Sequence, residues 1–418
     1  MIVASLFAAA ATGSLAQNPH PVRLDRPSAA PFSAMARLGR AVFFDRSLSS
    51  SGEISCASCH SPEYAYGPPD DAPLSRQSVR AVPSLMYLER QPNFSIGPDD
   101  AESEGSATMP PSRAQATASK TTQNAAQSAQ NLVPQGGLFW DGRANTLQSQ
   151  AFGPLLNPLE MDGGSVARVA LKLRHAAYAP RLVQLFGPSL FDQARVAVSE
   201  ALFAVARYQI EAAALHPYSS KYDSWLEGKA RFTPSEARGY TVFNDPGRAN
   251  CAACHLDRPA GALPPLFTDH QYEALGVPRN PNLVANRNPR YYDLGVCGPL
   301  RTDLKQQTAY CGMFLTPTLR NVATRHSFFH NGVYRTLQQV LDFYAFRDLK
   351  PQRIYPRRAD GTVAKYNDLP AQYRSNVDTS DAPFNGTFEK MPPLSPQQER
   401  DIIAFLKTLT DGYVSQRN

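Results

Sequence analysis

No stretch of the chain is apolar for long enough to cross a bilayer, so no membrane span is expected in the mature protein. Charge of one sign is not in excess. A formal net charge of +6 over 418 residues, spread along the chain, gives no reason to expect nucleic acid as a partner. Runs of alternating polar and apolar residues are missing too, which argues against an extended sheet. Tryptophan occurs only twice, methionine seven times and cysteine six times. With so few, the position of each carries information.

What the chain does contain is globular in balance, with 42% hydrophobic and 19% charged residues. Its length suits two or three domains. Prolines number 36 against 25 glycines, which predicts rigid connections, short helices and long loops. The N-terminus runs from Met1 through alanines to Ser14-Leu15-Ala16 and ends in a small-x-small pattern, read as a signal peptide over residues 1–16. It lacks a basic flank, which leaves a misplaced start or an uncleaved anchor open.

Four of the six cysteines fall in two copies of Cys-x-x-Cys-His: Cys56, Cys59, His60 and Cys251, Cys254, His255. This motif attaches c-type haem, the thiols adding to the vinyl groups and the histidine supplying an axial nitrogen to iron. A zinc knuckle or a simple disulfide uses cysteine pairs as well. Two copies, one in each half of an exported chain, favour two covalently bound haem c groups and hence redox chemistry. Haem attachment to thiols takes place outside the cytoplasm, so a periplasmic location is expected. The remaining pair, Cys297 and Cys311, is flanked by Gly298 and Gly312 and reads as a structural disulfide; a redox-active pair is the alternative.

Residues 17–30 are polar and proline-rich. Helices are expected at about 33–44, 145–152, 164–174, 178–186 and 190–213, after Thr233 or Ser235 as a cap, and from Ser395 onward, where Ser395 and Gln398 have capping-box spacing. Residues 92–130 have almost no large apolar side chains and read as a disordered insert. Each half is therefore expected to be a small α-helical domain around one haem. The boundaries are 30–225, with the first haem, and 226–418, with the second.

The order of several motifs resembles the bacterial di-haem cytochrome c peroxidase superfamily, which includes MauG-type enzymes. They are the first haem motif, Arg80-Ala81-Val82-Pro83-Ser84-Leu85, Phe139-Trp140-Asp141-Gly142-Arg143, and Gln150 with Pro154 and Glu160. After the second haem motif come Thr316-Pro317-Thr318-Leu319-Arg320-Asn321-Val322 and Phe329-His330-Asn331-Gly332. The resemblance spans about Leu38 to Tyr413, excluding the 92–130 insert, and implies an all-α fold of two cytochrome c-like domains.

It also implies roles. Peroxidases of this family with a bis-histidine resting state carry a distal histidine shortly after the first motif, and here residues 61–92 contain none. The haem held by His60 is then expected to be open to hydrogen peroxide; Met86, in an apolar run, reads as core. Peroxide cleavage needs a group that shuttles a proton. Glu160 matches the family's distal glutamate, with Gln150 and Pro154 as pocket neighbours, although a lone loop glutamate is by default a solvated charge. Trp140 matches a residue between the haems that relays electrons, with a core tryptophan as the plain alternative.

For the second haem, the family's peroxidases use a methionine 14 residues after the histidine of Phe-His-x-Gly. Counting from His330 reaches Tyr344, the MauG-type pattern and a hard donor that favours ferric iron. A packed tyrosine on an apolar helix face is the alternative, and Met313, His326, His330 and Met391 are competing ligands. The family often holds calcium between its domains. Here the asparagine position reads as Ala81 and the carbonyl positions as Arg325 and Ser327, and the missing oxygen donor counts against that ion.

The expected function is a peroxide-dependent di-haem oxidase of MauG type acting on an organic or protein substrate. One alternative is a cytochrome c peroxidase that draws electrons from a small redox protein. A non-catalytic di-haem electron carrier is the other.

Overall fold

A computed structural model describes residues 16–28, 30–69, 79–98, 132–385 and 391–414. The expected signal peptide, apart from Ala16, lies outside the described residues, as does most of the insert (99–130). The insert's first part departs from expectation: Ser95–Pro98 (β1) pairs antiparallel with Leu132–Gln135 (β2).

Helices in the first half are Ala34–Phe43 (α1), Leu147–Leu156 (α2), Val166–His175 (α3), Ala179–Phe186 (α4) and Ala194–Glu211 (α5). The second half has Lys221–Leu226 (α6), Pro234–Phe243 (α7), Leu337–Phe346 (α8) and Pro396–Lys407 (α9). Among the described residues, strands are confined to β1–β2 and a two-residue pair, Tyr272–Glu273 (β3) with Phe314–Leu315 (β4). The architecture is helix-rich, with these small ribbons as the departure from an all-α reading.

Local chemistry explains the helix starts. Ser33 accepts from the Ala36 amide, and Thr146, Ser220, Thr233, Thr336 and Ser395 each form a capping box with the residue three positions on. Two large apolar clusters result. One gathers Leu38, Val42 and Phe43 of α1 with Ala197, Ala201 and Val205 of α5. The other gathers Phe243 of α7 with Ile402 and Phe405 of α9, together with Trp225, which stacks on Phe232 at 4.5 Å.

The two halves repeat one design. α1 and α7 are both ten residues long, and each leads toward a haem motif. Each also meets a later helix at a glycine with no room for a side chain. A Cβ on Gly39 would fall 1.8 Å from the Ala204 carbonyl oxygen, and one on Gly239 would fall 1.9 Å from that of Asp401. Past the haem motif, the Ser84 hydroxyl donates to the Ala65 carbonyl, and the Thr318 hydroxyl donates to that of Leu266. Left-handed Tyr87 and Asn321 then open matching 3-10 turns, Leu88–Arg90 and Val322–Thr324.

A tight reversal follows in each copy. It is closed by Leu138↔Ala144 in the first half and Phe328↔Tyr334 in the second. Phe139 and Phe329 have φ of 67° and 61°, and Gly142 and Gly332 have φ of 67° and 63°. Each reversal feeds a ten-residue helix, α2 or α8. The copies meet reciprocally: the Ala81 amide donates to the His330 carbonyl at 2.7 Å, and the Leu315 amide donates to that of Trp140 at 3.0 Å. Cys297 and Cys311 are joined in a disulfide in the second half, beside the bridge Gly295↔Met313.

Candidate di-haem site

Cys56–Cys59 form a single helical turn capped by Ser55 and Ser58, and His60 ends it. The His60 Nδ1 lies 3.1 Å from the Tyr66 carbonyl oxygen. A carbonyl only accepts, so Nδ1 carries the proton and Nε2 keeps its lone pair for a metal. His255 repeats this with the Phe267 carbonyl at 2.9 Å. Tyr66 and Phe267 both have positive φ, 52° and 57°. Burial pushes each imidazole down to about 4, outweighing the carbonyl that favours the charged form. Both rings are thus neutral donors at ordinary pH.

A long, largely apolar cavity runs through the chain. Its first-half wall includes Ser84, Leu138, Trp140 and Gln150, and its second-half wall includes Cys251, Cys254, His255 and Tyr344. Arg325 Nε, Ser327 Oγ and His330 Nε2 are buried without hydrogen-bond partners, and all three residues line the same space. Burial alone pushes the Arg325 guanidinium down to about 10. Unpaired buried donors beside an apolar slot suit a flat apolar ring with a carboxylate edge. With the Cys251 and Cys254 thiols and the oriented His255 on its wall, this space fits haem; Cys56, Cys59 and His60 are not among the residues that line it.

On the first-half side, Gln150 and Pro154 lie on successive turns of α2. Proline inside a helix loses a backbone donor and costs roughly 3 kcal/mol relative to alanine. Glu160 follows in the turn beyond α2, where its Oε1 accepts from Asn157 Nδ2 at 2.6 Å. Burial raises the Glu160 carboxyl, while Asn157 and the Arg143 cation oppose the rise. The Arg143 guanidinium lies 3.5 Å from the ring centroid of Phe139, which lines the cavity.

On the second-half side, Tyr344 is stacked on Phe384 at 5.6 Å. Burial and the neighbouring Cys254 and Cys251 raise its phenol above the ordinary value. Among competing ligands, Met391 is 72% exposed, which takes it away from the cavity. His330 lines the cavity but lies flat on Phe314, centroids 3.5 Å apart. Met86 is buried at the cavity wall and its sulfur accepts from Asn321 Nδ2 at 3.3 Å. Met313 and His326 are half-buried.

Trp140 donates its indole N–H to the Ala81 carbonyl at 2.9 Å. At the proposed calcium position Ala81 thus offers a methyl side chain and an engaged carbonyl. A cation is already built in beside it. The Arg80 guanidinium pairs with Asp293 at 2.7 Å and with Asp141 at 2.8 Å, all three side chains buried. The Asp293 carboxyl is held low chiefly by the Arg80 charge, against the effect of burial.

Several of these groups carry no sign of their role in the sequence. The carbonyls of Tyr66 and Phe267 act through the backbone, six and twelve residues past their histidines, so spacing does not reveal them. Asp293 sits in a loop with no motif around it, and Arg325, between two motifs, is marked by the sequence only for its backbone carbonyl. Arg80 does have a cue, since it opens the Arg-Ala-Val-Pro-Ser-Leu segment.

Comparison with known proteins agrees with this geometry. A family model described as di-haem cytochrome c peroxidase matches residues 33–231. The methylamine utilization protein MauG of Paracoccus denitrificans is 32% identical over 388 residues, covering 90% of this chain and 89% of that protein. Cytochrome c551 peroxidase of Nitrosomonas europaea is 30% identical over 339 residues, covering 81% and 80%. The crystal structure of the diheme peroxidase BthA from Burkholderia thailandensis matches with a TM-score of 0.77 and 33% identity, covering 94% of this chain and 90% of that one. The chain belongs to the di-haem cytochrome c peroxidase and MauG family of haem-dependent oxidoreductases.

Proposed function

We propose that the protein is a periplasmic di-haem oxidase of MauG type, which uses hydrogen peroxide to oxidise an organic or protein substrate. Two haem c groups, attached through Cys56, Cys59, Cys251 and Cys254 and ligated by His60 and His255, would supply the peroxide and one-electron chemistry. Residues 30–225 and 226–418 would act as two cytochrome c-like domains, and residues 1–16 as the export signal. Among the chain's own groups, Gln150 orients peroxide and Glu160 takes a proton from one oxygen and returns it to the other. The raised carboxyl of Glu160 suits that exchange. Trp140 passes electrons between the halves, and Tyr344 closes the second haem.

One observation carries the reading. The second half presents the Tyr344 phenol to the cavity lined by its own Cys251, Cys254 and His255, whereas α2 in the first half presents to that cavity the amide of Gln150. The electron-carrier alternative requires two closed haems. A ferric EPR spectrum of the holoprotein, followed by peroxide titration, tests this. One high-spin and one low-spin haem with prompt peroxide consumption are expected. Two low-spin haems inert to peroxide would leave only the carrier. Tyr344→Met should raise the second-haem potential, because thioether favours ferrous iron.

A further inference from the structure

Tyr87 and Asn321 are counterparts in the repeat: each is left-handed, with φ of 66° and 57°, and each opens the matching 3-10 turn. Asparagine suits that backbone, whereas a bulky aromatic residue there is an outlier, and such outliers concentrate at functional sites. The turn itself gives no reason for tyrosine. What Tyr87 adds is a ring on the cavity wall, next to Met86, and a phenol that donates to the Asp411 carboxylate. Its ring meets that of Tyr218 with centroids 4.8 Å apart. The Tyr218 phenol in turn donates to Glu89 Oε1 at 2.7 Å. Both tyrosines are buried, while Asp411 and Glu89 are half-buried, so the pair leads from the cavity toward solvent.

We propose that Tyr87 and Tyr218 form a proton-coupled relay, separate from Trp140, that carries oxidising equivalents from the cavity to Glu89, where a small ascorbate-class reductant discharges them when no substrate is bound. The proposal rests on the peroxide-oxidase reading. Burial is the main influence holding both phenols above their ordinary value, so neither is ionised at rest. A buried ring that lost only an electron would be left with an unpaired charge, so the proton must leave with it. Each phenol has a carboxylate in place to take that proton. Tyr87 gives one electron to the oxidised haem and its proton to Asp411. Tyr218 then gives one electron to Tyr87, which recovers its proton from Asp411, and the Tyr218 proton passes to Glu89. The reductant returns one electron to Tyr218 as Glu89 gives the proton back. Arg320 lies 5.1 Å and 4.9 Å from the two ring centroids, but its charge is paired with both carboxylate oxygens of Asp223, which limits its opposition to oxidation.

The test is freeze-quench EPR of the full di-haem holoprotein mixed with hydrogen peroxide and no substrate, with haem absorbance followed in parallel, with and without ascorbate. The parent should show a tyrosyl radical, recognised by the narrowing of its signal when the tyrosines carry deuterated rings. Tyr87→Phe should abolish the radical and prolong the oxidised haem. Tyr218→Phe should keep the radical, on Tyr87, and lose the acceleration by ascorbate. Glu89→Gln retains an acceptor for the Tyr218 phenol but weakens the base, and should match Tyr218→Phe without removing a ring. Tyr208→Phe, which removes a phenol outside the pair, should change neither readout. A radical that survives Tyr87→Phe, or haem decay under ascorbate that is equal in every variant, overturns the relay while continued peroxide consumption keeps the function. A parent that consumes peroxide without forming a tyrosyl radical overturns it equally. If the parent does not consume peroxide, the oxidase reading itself fails and the relay falls with it.

Discussion

The indole nitrogen of Trp140 lies 2.9 Å from the carbonyl oxygen of Ala81, whose own amide donates to His330 at 2.7 Å. Trp140 is thereby held at the junction: its side chain bonds Ala81 of its own half, and its backbone carbonyl accepts from Leu315 of the other. Trp140→Phe keeps a ring in place but removes the donor and the easily oxidised indole. Both motif haems should still load, while transfer of oxidising equivalents between them slows in stopped-flow peroxide experiments. Leaving the Ala81 carbonyl unpaired should cost about 1–3 kcal/mol in denaturant unfolding. Unchanged transfer kinetics would exclude the relay role.

Glu160→Gln should slow peroxide consumption by roughly 10²–10⁴-fold. In the parent protein the rate should fall as pH drops through a Glu160 value raised by burial, because the protonated carboxyl cannot act as base. Arg143 opposes that rise. Arg143→Gln should therefore move the acid limb to higher pH, and Glu160→Gln should abolish it. A limb that stays in place in both variants assigns it to another group.

Asp223 and Arg320 form a buried pair at 2.7 Å, each side chain 1% exposed, which ties α6 to the Thr316–Val322 segment. Asp223→Asn leaves a buried guanidinium without its counter-charge and should cost about 3–5 kcal/mol. The Arg320 charge is the main influence holding the carboxyl low against burial. Its stabilisation is present above the unfolded carboxylate value and is lost as pH falls through the lower folded value. Parent and variant should converge in stability only in strong acid, as followed by unfolding at several pH values.

Cys297→Ser with Cys311→Ser reopens a loop closed across a sequence separation of 14. A loop of that size predicts a loss of about 3 kcal/mol. The EPR spectrum of the first haem should not change. If only the second-haem signal and the unfolding midpoint respond, the bond is a staple; loss of peroxide turnover with stability intact would point to a redox role.

These predictions draw unequally on sequence and structure. Cys-x-x-Cys-His, the cap at Thr233 or Ser235 and the capping box of Ser395 are short-range patterns, readable because all their partners lie within a few residues. The Cys297–Cys311 pair was legible by elimination once four thiols had been assigned to haem. The ion pair of Arg80 with Asp293 joins residues 213 apart, and no local pattern announces such a pairing. The ribbon at Ser95–Pro98 escaped because its own residues are poor in apolar side chains and its partner strand lies beyond the insert. The correspondence of α2 and α8 was hidden because their side chains share little chemistry; only the matching reversals and caps that lead into them reveal it.

The reciprocal amide bonds of Ala81 and Leu315 have a further consequence. Backbone groups are common to every residue type, so this latch tolerates substitution of the side chains around it. Electron tunnelling decays steeply with distance, so under the proposed function a junction held by main chain would keep the path between the halves constant. Homologous chains can then exchange pocket residues and retune potentials while the gap survives sequence drift.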